Sequence, residues 1–108
     1  MSVYAIVDIK VTDDSWLPSY AENVHKIVER HGGKYLSRSK NIVTVEGDAL
    51  DTTIVALIQF PSMEALQTFA SDPEYTPYMQ ARQAGSVTRL HIIDDVDAAG
   101  TIPYLAKG

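Results

Sequence analysis

Five polar side chains stand at predicted strand positions whose neighbours are apolar, and they are the first candidates for chemistry in this chain. They are Asp8, Arg38, Gln59, Arg89 and His91. A charge buried without a partner is energetically costly, so each of these groups requires an ion pair, a hydrogen-bond partner or a ligand. In one interpretation Asp8 pairs with Arg89 or Arg38, and His91 packs within an interface between subunits.

A second interpretation makes an arginine the anchor of an anionic ligand. Arg38 or Arg82 would hold a carboxylate or an enolate through a two-pronged contact, while His91 or Tyr75 moves a proton. Two of these residues also have purely structural roles open to them. Tyr75 can anchor a short helix to the core, and Arg82 can bond the carbonyl groups at a helix C-terminus.

Two aromatic side chains at the start of the first predicted helix are further candidates. Trp16 and Tyr20 begin an apolar stripe with helical spacing, and such stripes usually form the core side of a helix. Their place at the helix start also puts them near the opening of a cavity between helix and sheet. We therefore predict that Trp16 and Tyr20 contribute to ligand binding as well as to packing.

The sequence contains none of the strong motifs for metal or cofactor binding. There is no GxGxxG, P-loop, HExxH, GxSxG or EF-hand pattern. The absence of cysteine excludes disulfides and thiolate ligands and fits a reducing compartment. His25 and His31 point to different faces of one helix, and His91 lies on a strand, which argues against a zinc site. We predict no metal and no cofactor.

Charge and hydropathy limit the partners of the chain. It carries 9 Lys and Arg against 14 Asp and Glu, a net charge of -5, which is the wrong sign for binding nucleic acid. The longest apolar run, residues 54–58, is far shorter than the roughly 20 residues that cross a membrane as a helix. The N-terminus leads directly into a strand-like alternation without a signal-peptide pattern. We expect a cytoplasmic protein without a nucleic-acid or membrane partner.

The first half of the chain predicts a strand, a helix and one or two further strands. Apolar residues alternate over residues 3–11, which indicates a strand, and recur at helical spacing over residues 16–31. The helix should end at Gly32-Gly33, because glycine adopts the left-handed conformation that follows many helices. Residues 34–38 and 42–46 then form one long bent strand or two short strands.

The second half repeats this order with an extra short helix. Residues 53–60 are almost entirely apolar, as in a central strand covered on both faces. Ser62 is the predicted N-cap of the next helix, in which Leu66, Phe69 and Ala70 form the buried stripe. A turn and a short helix ending at Gly85 follow, and residues 87–94 alternate as the last strand.

This β-α-β-β-α-β order predicts a ferredoxin-like α+β domain at residues 1–96, with a C-terminal tail at residues 97–108. Its four-stranded antiparallel sheet has both main helices on one face, with the first and third strands central. Because those strands are apolar on both faces, Tyr4 and Ile6 would lie exposed in a monomer. A second copy packed sheet to sheet covers them, which predicts a homodimer in the form of a dimeric α/β barrel.

Several short segments in a fixed order and spacing carry a family resemblance. They are Gly32-Gly33-Lys34-Tyr35-Leu36-Ser37-Arg38, Glu46-Gly47, Phe60-Pro61-Ser62 with Glu64-Ala65, Asp72-Pro73-Glu74-Tyr75, and Arg82. In these the chain resembles the domain of unknown function 1330 family of the dimeric α/β barrel superfamily. It departs from the family at Phe69-Ala70, where a Trp-Tyr pair is usual, and in the length of its tail.

The resemblance implies the same fold and a small-molecule pocket, and it raises the weight of Arg82 as a ligand-binding residue. Similarity to the superfamily's monooxygenases and isomerases implies a cofactor-independent enzyme acting on a small acidic or aromatic compound. Two alternatives stay open: a protein that binds such a compound without turnover, and a self-associating module with no active site.

Overall fold

The structure, a computed structural model, describes residues 1–105 and forms one four-stranded antiparallel sheet with three helices. The last part of the predicted tail, residues 106–108, lies outside the described residues. The elements are β1 (Val3–Val11), α1 (Leu17–Arg30), β2 (Lys34–Ser39), β3 (Ile54–Phe60), α2 (Met63–Ala70), α3 (Thr76–Ala84) and β4 (Ser86–Asp94). Along the sheet the strand order is β2-β3-β1-β4. The predicted ferredoxin-like fold is confirmed, with the first and third strands at the centre.

The two faces of the sheet differ because side chains alternate along each strand. On β1 the residues Val3, Ala5, Val7 and Ile9 are buried in the core beneath the helices. The intervening residue Ile6 is 37% exposed on the opposite face, which we call the open face. The main helix, α1, presents its buried residues Val24, Ile27 and Val28 to the core.

The helix ends explain how the segments around the core are fixed. Ser62 accepts a hydrogen bond from the backbone N–H of Ala65 at 3.0 Å, which confirms it as the N-cap of α2. At the end of α1, Gly32 has a φ of +79°, the left-handed conformation that the sequence predicts there. In α2, Leu66 is half-buried, whereas Ala70 is exposed, so including Ala70 in the buried stripe was wrong.

The start of α1 is held by a side chain that the sequence does not single out as a cap. Trp16 occupies the N-cap position and makes no side-chain cap, although Thr12 to Ser15 offer suitable oxygens. Instead its indole Nε1 donates a hydrogen bond to the carbonyl of Gly85 at 3.1 Å. Because Gly85 follows the last residue of α3, this bond ties the start of α1 to the end of α3.

The predicted strand at residues 42–46 is wrong. The strand β2 lies at the edge of the sheet, so its only neighbour is β3, and β3 begins at Ile54. Ser39, opposite Val55, is the last residue of β2 that pairs with β3. The residues after Ser39 have no neighbouring strand with which to form backbone hydrogen bonds. Val43 and Val45 are 83% and 94% exposed, so the β-branched residues here have no sheet to join.

The open face carries one of the predicted ion pairs. Asp8 and Arg89 lie directly opposite each other on β1 and β4, and the Arg89 Nε donates to Asp8 Oδ1 at 3.0 Å. The same face exposes the apolar side chains Val87 and Ile93. Within residues 1–105, no helix has the length and apolar character needed to cross a membrane.

Candidate functional site

A cavity of about 350 Å³ lies between the helices and the covered face of the sheet. Its walls are mostly apolar side chains of β1, β3, α1 and α2, including Val7, Ala56, Val24 and Phe69. A space of this size, with apolar walls and a few polar groups, has the usual properties of a small-molecule site.

One positive charge is buried at this cavity. Arg82 projects from α3, is only 5% exposed, and lines the cavity. Its Nη2 donates a hydrogen bond to the hydroxyl of Tyr75 at 3.2 Å, and Tyr75 is itself buried. None of the ion pairs found among residues 1–105 includes Arg82, and no Asp or Glu is among the side chains that line the cavity.

The guanidinium of Arg82 has more donors than the protein uses. A guanidinium carries five N–H groups, and Tyr75 is the hydrogen-bond partner of its side chain in the described chain. Every side-chain nitrogen or oxygen that is fully enclosed in this part of the protein has a partner. The remaining Arg82 nitrogens are therefore not fully enclosed by the protein and border open space.

Tyrosines surround this charge and stay neutral. Burial, followed by the neighbouring Tyr75 phenol, raises the pKa of Tyr20 far above its usual value. Burial also raises the pKa of Tyr35. The rings of Phe69 and Tyr75 pack with centroids 4.3 Å apart, and those of Trp16 and Tyr20 meet edge to face at 5.1 Å. The cavity thus combines one buried cation with neutral hydroxyl groups and aromatic faces.

A β-bulge brings a second arginine to the same cavity. Tyr35 pairs with Ile58, and Arg38 pairs with Ala56, so both face the helices although they are three positions apart in the strand. In a regular strand, side chains three positions apart lie on opposite faces. The register shift between Tyr35 and Ser37 places both on the same face. Arg38 is solvent-exposed, and its guanidinium lies 4.5 Å from the centroid of the Tyr35 ring.

The segment before Tyr75 is fixed by a charged cluster. The carboxylate of Asp72 lies 2.7 Å from His31 Nε2 and accepts the backbone N–H of Glu74 at 2.9 Å. The hydrogen bond from His31, more than any other contact, holds the pKa of Asp72 below its usual value. Since the Tyr75 N–H bonds the Asp72 carbonyl, this cluster sets the position of the tyrosine.

Two polar residues that line the cavity, Tyr35 and His25, were not among the site residues predicted from the sequence. His25 lines the cavity from α1, and its Nδ1 lies 3.1 Å from the carbonyl oxygen of Ala21. A carbonyl can only accept, so Nδ1 carries the proton and Nε2 of the neutral ring is an acceptor. Its helical spacing is the sequence signal for this position. His25 is four residues after Ala21 and three before Val28, so the three share one face of α1, and all three line the cavity.

The structure brings together five of the six predicted site residues. Those that line the cavity are Trp16, Tyr20, Arg38, Tyr75 and Arg82. His91 is placed elsewhere: it lies opposite Ile6 on the open face and is exposed. The expectation that His91 shares a pocket with Arg38 and Tyr75 is therefore corrected, because strand alternation directs it away from the helices. Residues 1–105 contain no group of three His, Asp or Glu side chains suited to a metal ion.

Comparison with known proteins identifies relatives of known fold. A family model described as "Domain of unknown function (DUF1330)" matches residues 2–96. No curated protein matches the sequence. The structure is similar to that of a protein of unknown function from Rhodopseudomonas palustris, with a TM-score of 0.76, 18% identity, and coverage of 89% of this chain and 83% of the other.

Two further solved structures share the fold. One is SnoaB, a cofactor-independent oxygenase from Streptomyces nogalater, with a TM-score of 0.64, 13% identity, and coverage of 89% and 94% of the two chains. The other is a dimeric protein of unknown function with a ferredoxin-like fold from Bacteroides fragilis, with a TM-score of 0.59, 14% identity, and coverage of 86% and 95%. At these identities the similarity establishes a common fold.

Proposed function

The chain belongs to the family of the domain of unknown function DUF1330, and within that family we propose that it binds a small apolar acid whose anionic group is held by Arg82. The observation that carries this proposal is a buried guanidinium, 5% exposed, without a carboxylate partner in the described chain. An isolated buried charge is unfavourable, and an anionic ligand relieves that cost with charge-assisted hydrogen bonds.

The electrostatics of the cavity favour an anion over other ligands. The chain as a whole has a net charge of -5, yet the charged side chains that line the cavity are the two arginines, Arg38 and Arg82. Arg38 at the surface attracts an anion and Arg82 binds it at depth. The aromatic and aliphatic walls accept a ring or a short branched chain, and about 350 Å³ is enough for a compound of that size.

Isothermal titration calorimetry with phenylacetate tests this proposal. The wild-type protein should bind the acid, and Arg82→Met should weaken binding at least tenfold, because the substitution keeps much of the volume and removes the charge. Arg89→Met is the matched control, since that arginine pairs with Asp8 on the open face. Equal affinity in wild type and Arg82→Met, or equal losses in both variants, would contradict the proposal.

A second candidate function is catalysis without a cofactor, favoured by His25. With its Nδ1 bonded to the Ala21 carbonyl, His25 leaves Nε2 to accept a proton from a carbon next to a carbonyl. Arg82 would then stabilise the enolate oxygen. Returning the proton to another carbon gives an isomerisation.

Oxygenation is the other outcome open to the same enolate. Its reaction with dioxygen converts a methylene group of the substrate into a carbonyl group and releases one water molecule. The carbon is oxidised and dioxygen is reduced, with one oxygen atom entering the carbonyl and the other leaving in the water together with the two methylene hydrogens. The common fold with SnoaB supports this route.

Two measurements on 2-tetralone distinguish catalysis from binding. Proton abstraction appears as deuterium exchange at the activated carbon in heavy water by NMR, and oxygenation appears as dioxygen uptake. His25→Gln should abolish exchange and leave the phenylacetate affinity within about twofold, since in this proposal Arg82 holds the anion. If deuterium exchange of 2-tetralone is no faster with the protein than in buffer, catalysis is contradicted and ligand binding remains the proposed function.

The open face supports a homodimer as the assembled form. Ile6, Val87 and Ile93 are exposed there, with 37%, 60% and 53% of their surface accessible. A second copy related by a two-fold axis would cover both open faces at once, as in the dimeric Bacteroides fragilis protein of the same fold. Native mass spectrometry should give twice the chain mass of 11.9 kDa, and Ile93→Asp should shift the protein to monomer. A wild-type monomer at micromolar concentration would contradict the dimer.

A further inference from the structure

A second space, of about 400 Å³, also borders the buried arginine. It occupies the gap between α3 and β4, where Ser86 and Thr88 project from the strand. Three residues, Tyr75, Arg82 and Leu90, line both this space and the main cavity. Arg82 therefore borders both an apolar cavity and a second space that contains hydroxyl groups.

The hydroxyl groups in the second space have a fixed direction of donation. The Ser86 hydroxyl contacts the carbonyl oxygen of Arg82, which can only accept, so Ser86 is the donor. The Thr88 Oγ1 lies 2.8 Å from the Ser86 Oγ. Because Ser86 has used its one proton, Thr88 must donate in this second bond. Thr88 Oγ1 is then left with lone pairs alone, so this side of the arginine presents an acceptor.

We propose that the second space is a subsite for a hydroxyl group on the ligand, so that the preferred ligands are 2-hydroxy acids with an apolar body. This inference rests on the proposed function. The hydroxyl on the carbon next to the ligand's carboxylate can reach Thr88 only if Arg82 holds that carboxylate. An acceptor selects a donor on the ligand, which is either O–H or N–H. An ammonium would bring a second positive charge beside the guanidinium, so the hydroxyl is the donor that fits.

Three acids of similar size test the subsite. The three acids differ at the carbon next to the carboxylate. Phenylacetate has no polar group there, mandelate has a hydroxyl that can donate a hydrogen bond, and phenylglyoxylate has a carbonyl oxygen that can only accept one. Calorimetry on the wild-type protein should give mandelate about three- to tenfold higher affinity than phenylacetate, the gain from one hydrogen bond. Phenylglyoxylate should show no gain. Thr88→Val, which removes the acceptor at nearly constant volume, should abolish the mandelate advantage and leave phenylacetate unchanged.

Each outcome bears on a distinct claim. Thr88→Ser keeps the oxygen and should retain the advantage, which separates the hydrogen bond from packing. Equal affinities of mandelate and phenylacetate in the wild type, or an advantage that survives in Thr88→Val, would overturn the subsite and leave the arginine site standing. Failure of all three acids to bind would overturn the proposed function and the subsite together. The affinities of the three acids for the wild-type protein test the subsite even if a variant does not fold.

Discussion

Replacing Arg82 by methionine should stabilise the protein when no ligand is present. The guanidinium is buried with one hydrogen bond, to the Tyr75 hydroxyl, and no carboxylate partner in the described chain. Methionine fills much of the same volume, avoids the cost of burying a charge, and packs well in irregular apolar spaces. A residue kept for ligand binding thus lowers the stability of the free protein.

The expected size of the effect follows from two opposing contributions. Replacing a buried ion pair or triad with apolar side chains is often neutral or stabilises a protein by about 1–4 kcal/mol, and the same desolvation cost applies to a single buried charge. A gain of about 2 kcal/mol, in the lower half of that range, applies here because the guanidinium is accessible from the cavity. Loss of the hydrogen bond to Tyr75 opposes it by about 1 kcal/mol. The net gain should be about 1 kcal/mol, which raises the melting temperature by about 4 °C for a chain of this size.

Urea unfolding followed by the fluorescence of Trp16, the one tryptophan, measures this difference. With phenylacetate at about 100 times its dissociation constant, the wild type should gain about 2.7 kcal/mol and the variant almost nothing. The order of stability should therefore invert between the free and the ligand-saturated proteins. A variant that is less stable than wild type by about 1 kcal/mol or more without ligand would contradict this prediction and make Arg82 a structural clamp on Tyr75.

Three further predictions concern the scaffold. Gly33→Ala should cost about 1–3 kcal/mol of unfolding free energy in urea, because its Cβ would lie 2.6 Å from the buried Val28 Cγ1; unchanged stability would contradict this packing. Ser62→Ala should cost about 1 kcal/mol through loss of the α2 cap, and Ser62→Asp should restore most of it. His31 lowers the pKa of Asp72 below its usual 3.8, so the carboxylate stabilises the folded state above about pH 4 and loses this effect as pH falls through the folded pKa. The stability advantage of wild type over Asp72→Asn should therefore shrink as the pH falls below about 4, and an advantage that stays constant down to about pH 2 would show that the ionised Asp72 carboxylate is not responsible.

Strand positions were predictable from the sequence wherever alternation coincided with pairing. The pattern of β1 gave its bounds, Val3–Val11, and its two distinct faces. The same pattern misled at residues 42–46, because strand propensity does not reveal whether a neighbouring strand is within reach. His91 was grouped with the site residues by type, although its parity on β4 places it with Arg89 on the open face.

The site itself depends on features that sequence patterns do not contain. Arg38 reaches the cavity only because a bulge shifts the register after Tyr35. The residue types in this segment do not predict that bulge. The burial of Arg82 results from packing of α3 against the rest of the fold, whereas its place near a helix end left open a role in bonding the last carbonyl groups of the helix. His25 was passed over because the stripe was counted from Trp16, which left it off the core face.

A crystal structure of the protein with mandelate bound would show whether Arg82 holds an anion inside the cavity. We expect the carboxylate within about 3 Å of the Arg82 guanidinium and the phenyl ring among the apolar side chains of the cavity. A ligand that sits on Arg38 alone, or outside the cavity, with no oxygen in contact with Arg82, would contradict the proposed function.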